Sequence, residues 1–406
     1  MKKTIFIFIQ LFLCITFWSI PAKSIKINNL QFLTKANNQF AIELYHQLKD
    51  KNKNILFSPF SIYTTFGIFY IASDKQTKEI MSKVLHFPLK GISLHKSFSK
   101  ILYYFNNISK KEPIKLNIIN CLWIQKGYNI FEKSDINLIK KYYQSDFYFV
   151  DFVENYKNVR KKINNWIQNN TNKKIKSIIN PEIITPLTVL ILCNIIYFKG
   201  EWYLKFDPQF TVKDDFYVSL KKIKKVYMMK KISYFKFKDF GEFKAIELPY
   251  EGRTLSMIIF LPNRITGLSD LEDKLTITNV RKWINELTNS NEEKVFLCLP
   301  RFKILFEVGL SKALAQMGLA HLFKDVGGLS KNKRDNMFIG EILHKTFINV
   351  NESGTEVIAT SIPIYFGSSI EEPVLFKANH PFLFLIRENK TKTILFLGRV
   401  RDPLTK

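Results

Sequence analysis

Read for hydrophobic period alone, the chain changes character along its length. In "KANNQFAIELYHQLKD", Phe40, Ala41, Leu44, Tyr45 and Leu48 recur at three- and four-residue spacing, which predicts one apolar face of an α-helix. A second apolar segment opens at "NILFSPFSI" and continues through Phe66 and Phe69 to Tyr70. Val159, Ile163, Trp166 and Ile167 in "VRKKINNWIQ" form another helical stripe. The run from Val189 to Phe198 is almost wholly apolar and β-branched, which predicts a strand covered on both faces. Asn194 interrupts it, and a buried amide there requires hydrogen-bond partners. Later segments read mainly as strands. "AIELPY" and "TLSMIIFLP" flank Glu251-Gly252-Arg253, and "PFLFLIRENKTKTILFLGRV" turns at Asn389, so both predict hairpins. Early helices, late strands and a mixed middle predict an α+β fold rather than repeated βαβ units. With no internal repeat and no linker rich in Pro, Gly and Ser, a single large domain is expected.

A hydrophobic content of 46% is enough for a large core and excludes a disordered chain. The first residues read as processing rather than fold. Lys2 and Lys3 precede an apolar stretch from Ile5 to Ile20, followed by Pro21 and the triplet Ala22-Lys23-Ser24. This predicts a secretory signal peptide over residues 1–24 and a mature chain over 25–406, destined for the extracellular space. No later run is long enough to span a bilayer. Cys14 lies in the signal, and Cys121, Cys193 and Cys298 are widely spaced in strand-like apolar runs, so they are expected as buried free thiols. The net charge of +26 becomes +23 once Lys2, Lys3 and Lys23 are removed. That balance would permit a polyanion such as heparin as partner. No zinc-finger spacing or aromatic RNA motif accompanies the basic clusters, so nucleic acid is not expected.

Enzyme chemistry is not legible. There is no G-x-S-x-G elbow, H-E-x-x-H helix, P-loop or G-x-G-x-x-G, and the six histidines lack metal-ligand spacing. No metal or cofactor is expected. One stretch stands apart: "NESGTEVIATSIPIYFGSS", residues 351–369, has strand-forming residues yet contains Pro363 and ends in Gly-Ser-Ser.

The segments "NILFSPFSI", "TVLILCNIIYFKGEW", "LCLPRFKI", "LAQMGLAHLFKD", "HKTFINVNESGTE", "FKANHPFLFLI" and "TILFLGRVRDP" occur in this order across the mature chain. Together they resemble the serpin family, serine protease inhibitors of the antitrypsin and antithrombin type. The resemblance implies a single-domain fold with three β-sheets, about eight to nine helices and an exposed reactive-centre loop at about residues 352–375. It implies a suicide substrate: a serine protease cleaves the loop, forms an acyl-enzyme, and is trapped as the loop inserts into a five-stranded sheet. It implies a monomer with a covalently captured protease as partner.

Within that resemblance, Glu352, Gly354, Thr355, Glu356, Val357, Ala359 and Thr360 form the hinge from which insertion starts. Strand alternation would point Thr355, Val357, Ala359 and Ser361 to one face, where a charge in place of Thr355 would be buried and would oppose insertion. Val357 and Ile358 stand where inhibitory members carry alanines, and Pro363 lacks one ladder donor, which keeps a non-inhibitory carrier, chaperone or storage serpin as the alternative. The family spacing places the reactive bond at Ser368–Ser369, with Gly367 or Phe366 as alternatives for the specificity residue. No Lys or Arg lies between Gly354 and Lys377, so elastase-like or chymotrypsin-like targets are expected rather than trypsin-like ones. Ser58, Ser61, Asn194 and His344 match a polar cluster beneath the sheet, and Trp202 an aromatic where the loop first enters.

Sequons stand at Asn107, Asn169, Asn351 and Asn389; a glycan on Asn351 would obstruct insertion, so that site is expected to stay unmodified. The family's heparin-responsive helix corresponds to about Ile92 to Ser109, which holds only Lys96 and Lys100, little support for a glycosaminoglycan cofactor.

Overall fold

The segment "PFSIYTTFGIFYIA" is apolar around its whole circumference, and a helix of that kind has to lie inside the molecule. In the computed structural model it forms α2 (Pro59–Ala72), with every residue buried. Ser58 starts it, its hydroxyl accepting the Ser61 N–H, and Pro59 supplies a preset first turn. Gly67 lets α2 approach its neighbour: a Cβ there would lie 2.6 Å from the Tyr143 hydroxyl. The structure describes residues 28–405 apart from 51–52, 112, 129, 172, 174–178, 180, 182, 325–341 and 356–371.

Around α2 stand α1 (Asn28–Leu48), α3 (Lys75–Val84), α4 (Ile92–Lys111), α5 (Lys133–Tyr143) and α6 (Phe152–Asn170). Later come α7 (Leu268–Asp273), α8 (Ile277–Asn289) and the single turns α9 (Ser311–Leu314) and α10 (His321–Lys324). Ten α-helical segments are thus present among the described residues. The helix at Ile92 runs on to Lys111, so it carries Lys110 and Lys111 besides Lys96 and Lys100. None of the described helices is long and apolar enough to cross a membrane.

The strands are β1 (Ile55–Phe57), β2 (Ile114–Gln125), β3 (Asp146–Val150), β4 (Leu190–Glu201), β5 (Val212–Ser219), β6 (Lys222–Asp239), β7 (Phe243–Pro249) and β8 (Leu255–Pro262). They continue with β9 (Glu292–Pro300), β10 (Phe302–Gly309), β11 (Leu343–Asn351), β12 (Gly354–Thr355), β13 (Val374–Lys377), β14 (Phe382–Glu388) and β15 (Ile394–Val400). Both expected hairpins are present, as β7–β8 and β14–β15. Strand β6 is long enough to serve two sheets: its first part pairs with β5 and β9, its end with β7. Two of the three sheets are therefore continuous through β6.

The third sheet has the order β10-β11-β12-β4-β2-β3. It holds six strands, not the five expected, because the two residues of β12 already lie between β11 and β4. Helix α6 covers the β2–β4 pair, where Cys121 faces Cys193 across the strands in a second small core with Trp123 and Ile163. Both thiols and Cys298 are free and buried, and burial pushes the Cys193 thiol up to about 12.

Candidate functional site

Strand β11 leaves the sheet at Asn351, turns through Glu352 and Ser353, and returns as β12. The register is Val350 opposite Thr355 and Asn351 opposite Gly354. On its other edge β12 pairs with β4, Gly354 opposite Glu201 and Thr355 opposite Gly200. The chain therefore begins a new central strand at the end of the sheet.

The turn is held by backbone and side-chain hydrogen bonds. The Trp202 N–H donates to the Ser353 carbonyl and the Phe206 N–H to the Glu352 carbonyl, each at 2.9 Å. Trp202 Nε1 donates to the Asn351 carbonyl at 2.9 Å, and its ring stacks on Tyr250 with centroids 4.7 Å apart. The Glu352 side chain is 3% exposed. Its Oε1 accepts from Arg301 Nε at 2.7 Å, Arg301 Nη2 at 2.6 Å and the Thr211 hydroxyl at 2.5 Å. A buried carboxylate with a forked cationic partner and a hydroxyl donor is a satisfied group. Thr355 is 1% exposed and its hydroxyl lies 2.8 Å from the Tyr250 hydroxyl. Burial raises the Tyr250 phenol, so it stays protonated at neutral pH.

Gly354 has φ +150°, and a Cβ on it would sit 2.1 Å from the Gly200 carbonyl oxygen and 2.6 Å from Glu201 Cα. Gly200 is equally confined, since a Cβ there would meet Phe198 Cζ at 2.8 Å and Tyr250 Cδ1 at 2.9 Å. Gly354 thus allows β12 to meet the β4 backbone, while Gly200 leaves room for the Phe198 and Tyr250 rings beside it.

Lower in the sheet, the Ser58 N–H donates to His344 Nε2 at 3.0 Å, and the Ser61 N–H to the Ser58 hydroxyl at 3.3 Å. The ring of His344 must be unprotonated at Nε2 to accept, and burial lowers its pKa to about 3. The buried Ser61 hydroxyl has no hydrogen-bond partner among the described residues. Asn194 stands on β4 opposite Asn120, and its side chain lies outside the described residues. His344 and Asn351 are at opposite ends of β11, roughly 23 Å apart at the usual strand rise. The structure therefore brings Glu352, Gly354 and Thr355 together with Trp202, and sets Ser58, Ser61 and His344 apart.

Glu356, Val357, Ala359, Thr360, Phe366, Gly367, Ser368 and Ser369 lie outside the described residues. Of the sequons, Asn107 is half-buried on α4 and Asn169 exposed on α6. The Asn389 Nδ2 donates to the Arg253 carbonyl and the Ser256 hydroxyl, both at 2.8 Å. The Asn351 Oδ1 accepts the Ser353 N–H at 3.0 Å. Sequence reading missed Arg301, Thr211, Tyr250 and Gly200. Only the glycine in "FKGEW" carried a signal, an isolated Gly at a strand end that marks close backbone approach.

Comparison with known proteins agrees with this architecture. The family model described as Serpin (serine protease inhibitor) matches residues 35–403. The human protein named Serpin B3 is 36% identical over 393 residues, 91% of this chain and 99% of its own length. A leukocyte elastase inhibitor from Xenopus laevis is 35% identical over 388 residues, 92% of this chain and all of its own. Among solved structures, one titled "Cleaved Serpin 42Da" superposes with a TM-score of 0.81 at 29% identity, covering 93% of this chain and 100% of the other.

Proposed function

The chain belongs to the serpin family of serine protease inhibitors, and from that premise we propose that it is a secreted suicide-substrate inhibitor of an elastase-like or chymotrypsin-like serine protease. Its role is that of an inhibitor rather than an enzyme. The observation that carries the mechanism is the seating of Gly354 and Thr355 between β11 and β4. The start of a further strand has backbone partners on both edges, and its Thr355 side chain is small enough to be buried. Cleavage of the loop would release the residues beyond Thr355 to extend that strand, each gaining ladder bonds and apolar cover.

The bond proposed for cleavage is Ser368–Ser369, with Gly367 or Phe366 as the neighbouring choices. A small residue suits an elastase-like pocket, and Tyr365-Phe366 suits a chymotrypsin-like one. The relative named leukocyte elastase inhibitor is consistent with the first. A trypsin-like pocket would find no cation between Gly354 and Lys377. Secretion rests on the leader character of residues 1–24, and occupancy of Asn107 or Asn169 by glycans would follow from that route.

The test is to mix mature protein with elastase-, chymotrypsin- and trypsin-like proteases and resolve the products on a denaturing gel, with mass spectrometry of the released peptide. A covalent adduct with one of the first two and cleavage within 366–369 is expected. Cleavage without adduct by all three, and no gain in thermal stability of the nicked chain, would overturn the proposal.

A further inference from the structure

Cys121 on β2 and Cys193 on β4 are direct partners in an antiparallel register that runs unbroken from Ile114 opposite Gly200 to Ile124 opposite Leu190. Directly opposed residues of such a pair point to the same face of the sheet. Here that face is the one covered by Val159, Ile163 and Ile167 of α6, and both cysteines belong to this small core. The Gln125 N–H donates to the Val189 carbonyl at 2.9 Å, so this pair exchanges ladder hydrogen bonds, and by alternation so does the pair at Cys121 four residues away. The α-carbons of such a pair stand about 5.5 Å apart, inside the range that a disulfide spans. Their β-carbons lie about 5 Å apart, against about 4 Å in a disulfide, so closure draws the strands together by about 1 Å.

The surroundings agree with this proximity. Burial, and after it the neighbouring Cys193, raise the Cys121 thiol, while burial carries Cys193 to about 12. Cys298 stands on β9, which is not a strand of this sheet. Neither Cys121 nor Cys193 has a part in the proposed inhibition. Both thiols stay protonated once α6 is in place, and the thiolate is the reactive form. Exchange therefore belongs to folding, while α6 is still off the sheet.

We propose that Cys121 and Cys193 form a cross-strand disulfide as the chain folds in an oxidising medium. One cysteine, as its thiolate, attacks a small disulfide such as glutathione disulfide, forming a mixed disulfide and expelling one glutathione thiolate. The second cysteine, as its thiolate, attacks the protein sulfur of that mixed disulfide and expels the other. The two cysteine protons and two electrons pass to glutathione disulfide, leaving two glutathione thiols. The bond fastens β4, on whose other edge β12 is seated, to β2. It follows from the register, and it depends neither on secretion nor on protease inhibition.

The test starts from reduced, unfolded mature chain diluted into a buffer of glutathione and glutathione disulfide. Folded protein is isolated and its thiols are alkylated in denaturant, followed by peptide mass spectrometry without reductant. Alkylated thiols are expected to fall from three to one, the survivor being Cys298, with the peptides that carry Cys121 and Cys193 linked to each other. In Cys193→Ser the Cys121 thiol should return to the alkylated pool, and in Cys121→Ser the Cys193 thiol should do so, each with an unchanged circular dichroism spectrum. Three alkylated thiols in the folded wild-type chain, glutathione held separately on either cysteine, or a link to Cys298 would each refute the pairing.

Discussion

Replacing Gly354 with alanine puts a methyl group where the Gly200 carbonyl oxygen stands, 2.1 Å from the Cβ position. Neither side can yield through a side-chain rotation, because both contacts are backbone. The φ of +150° adds strain of about 1–3 kcal/mol for a residue with a Cβ. If β12 lifts away instead, the Thr355–Tyr250 hydrogen bond is lost as well, at about 1 kcal/mol. The strain carried by the docked state shifts the docking equilibrium of the hinge by about 1–3 kcal/mol, or roughly 5- to 140-fold. Hydrogen exchange of the native protein followed by mass spectrometry reads this directly. Peptides covering residues 350–355 should lose protection in Gly354→Ala, while those from β14 and β15 remain as in the wild type. The covalent adduct with the target protease should also diminish, since insertion passes through the same Gly354–Glu201 pairing. Unchanged exchange at 350–355 would refute the close approach as the reason for glycine.

Thr355→Arg places a guanidinium at a position 1% exposed, against the Tyr250 hydroxyl. The loop should still be cut, but as a substrate, with the adduct absent on a denaturing gel; an undiminished adduct sinks the buried-hinge reading. Glu352→Gln removes the charge from its bonds to Arg301 and Thr211, and with Arg301 at 41% exposure the loss is expected at about 1 kcal/mol after screening. Chemical denaturation measures it, and a variant as stable as the wild type would mean that the pair is replaceable by water. His344 titrates near 6.5 when unfolded and at about 3 when folded, so between those values the unfolded chain binds a proton that the native state refuses. Stability therefore falls as pH drops from about 6.5 toward 3, and His95, lowered to about 4 by burial, adds the same sign. In His344→Gln, whose carbonyl can accept from Ser58, the decline of the thermal midpoint between pH 6.5 and 5 should flatten; an equal slope would assign it elsewhere.

Local order was legible because it depends on neighbours in sequence. The stripe of Phe40, Ala41, Leu44 and Tyr45 requires a helix with one buried face, and all four are buried in α1. The β-branched run after Val189 reads as a strand, and β4 is a central strand between β12 and β2, although Val189 to Leu192 are only half-buried. The two hairpins follow from turn residues set between apolar runs, and the α+β arrangement from the order of those elements.

What the sequence by itself determined was therefore the list of elements, the family resemblance and the segment to watch. Only the tertiary structure decided what that segment does at its base. Glu352 reads as one polar residue of a hinge, yet Arg301, 51 positions away, makes it a buried anchor. Thr355 reads as small and harmless, yet Tyr250, 105 positions away, gives its hydroxyl a partner. Gly354 reads as freedom for the backbone, whereas the Gly200 carbonyl makes it a point of confinement. The physical reason is common to all three. Periodicity reports which face of an element avoids water, but hydrogen bonds and backbone approach depend on distances set only when β4, β11 and the loop between β9 and β10 have packed.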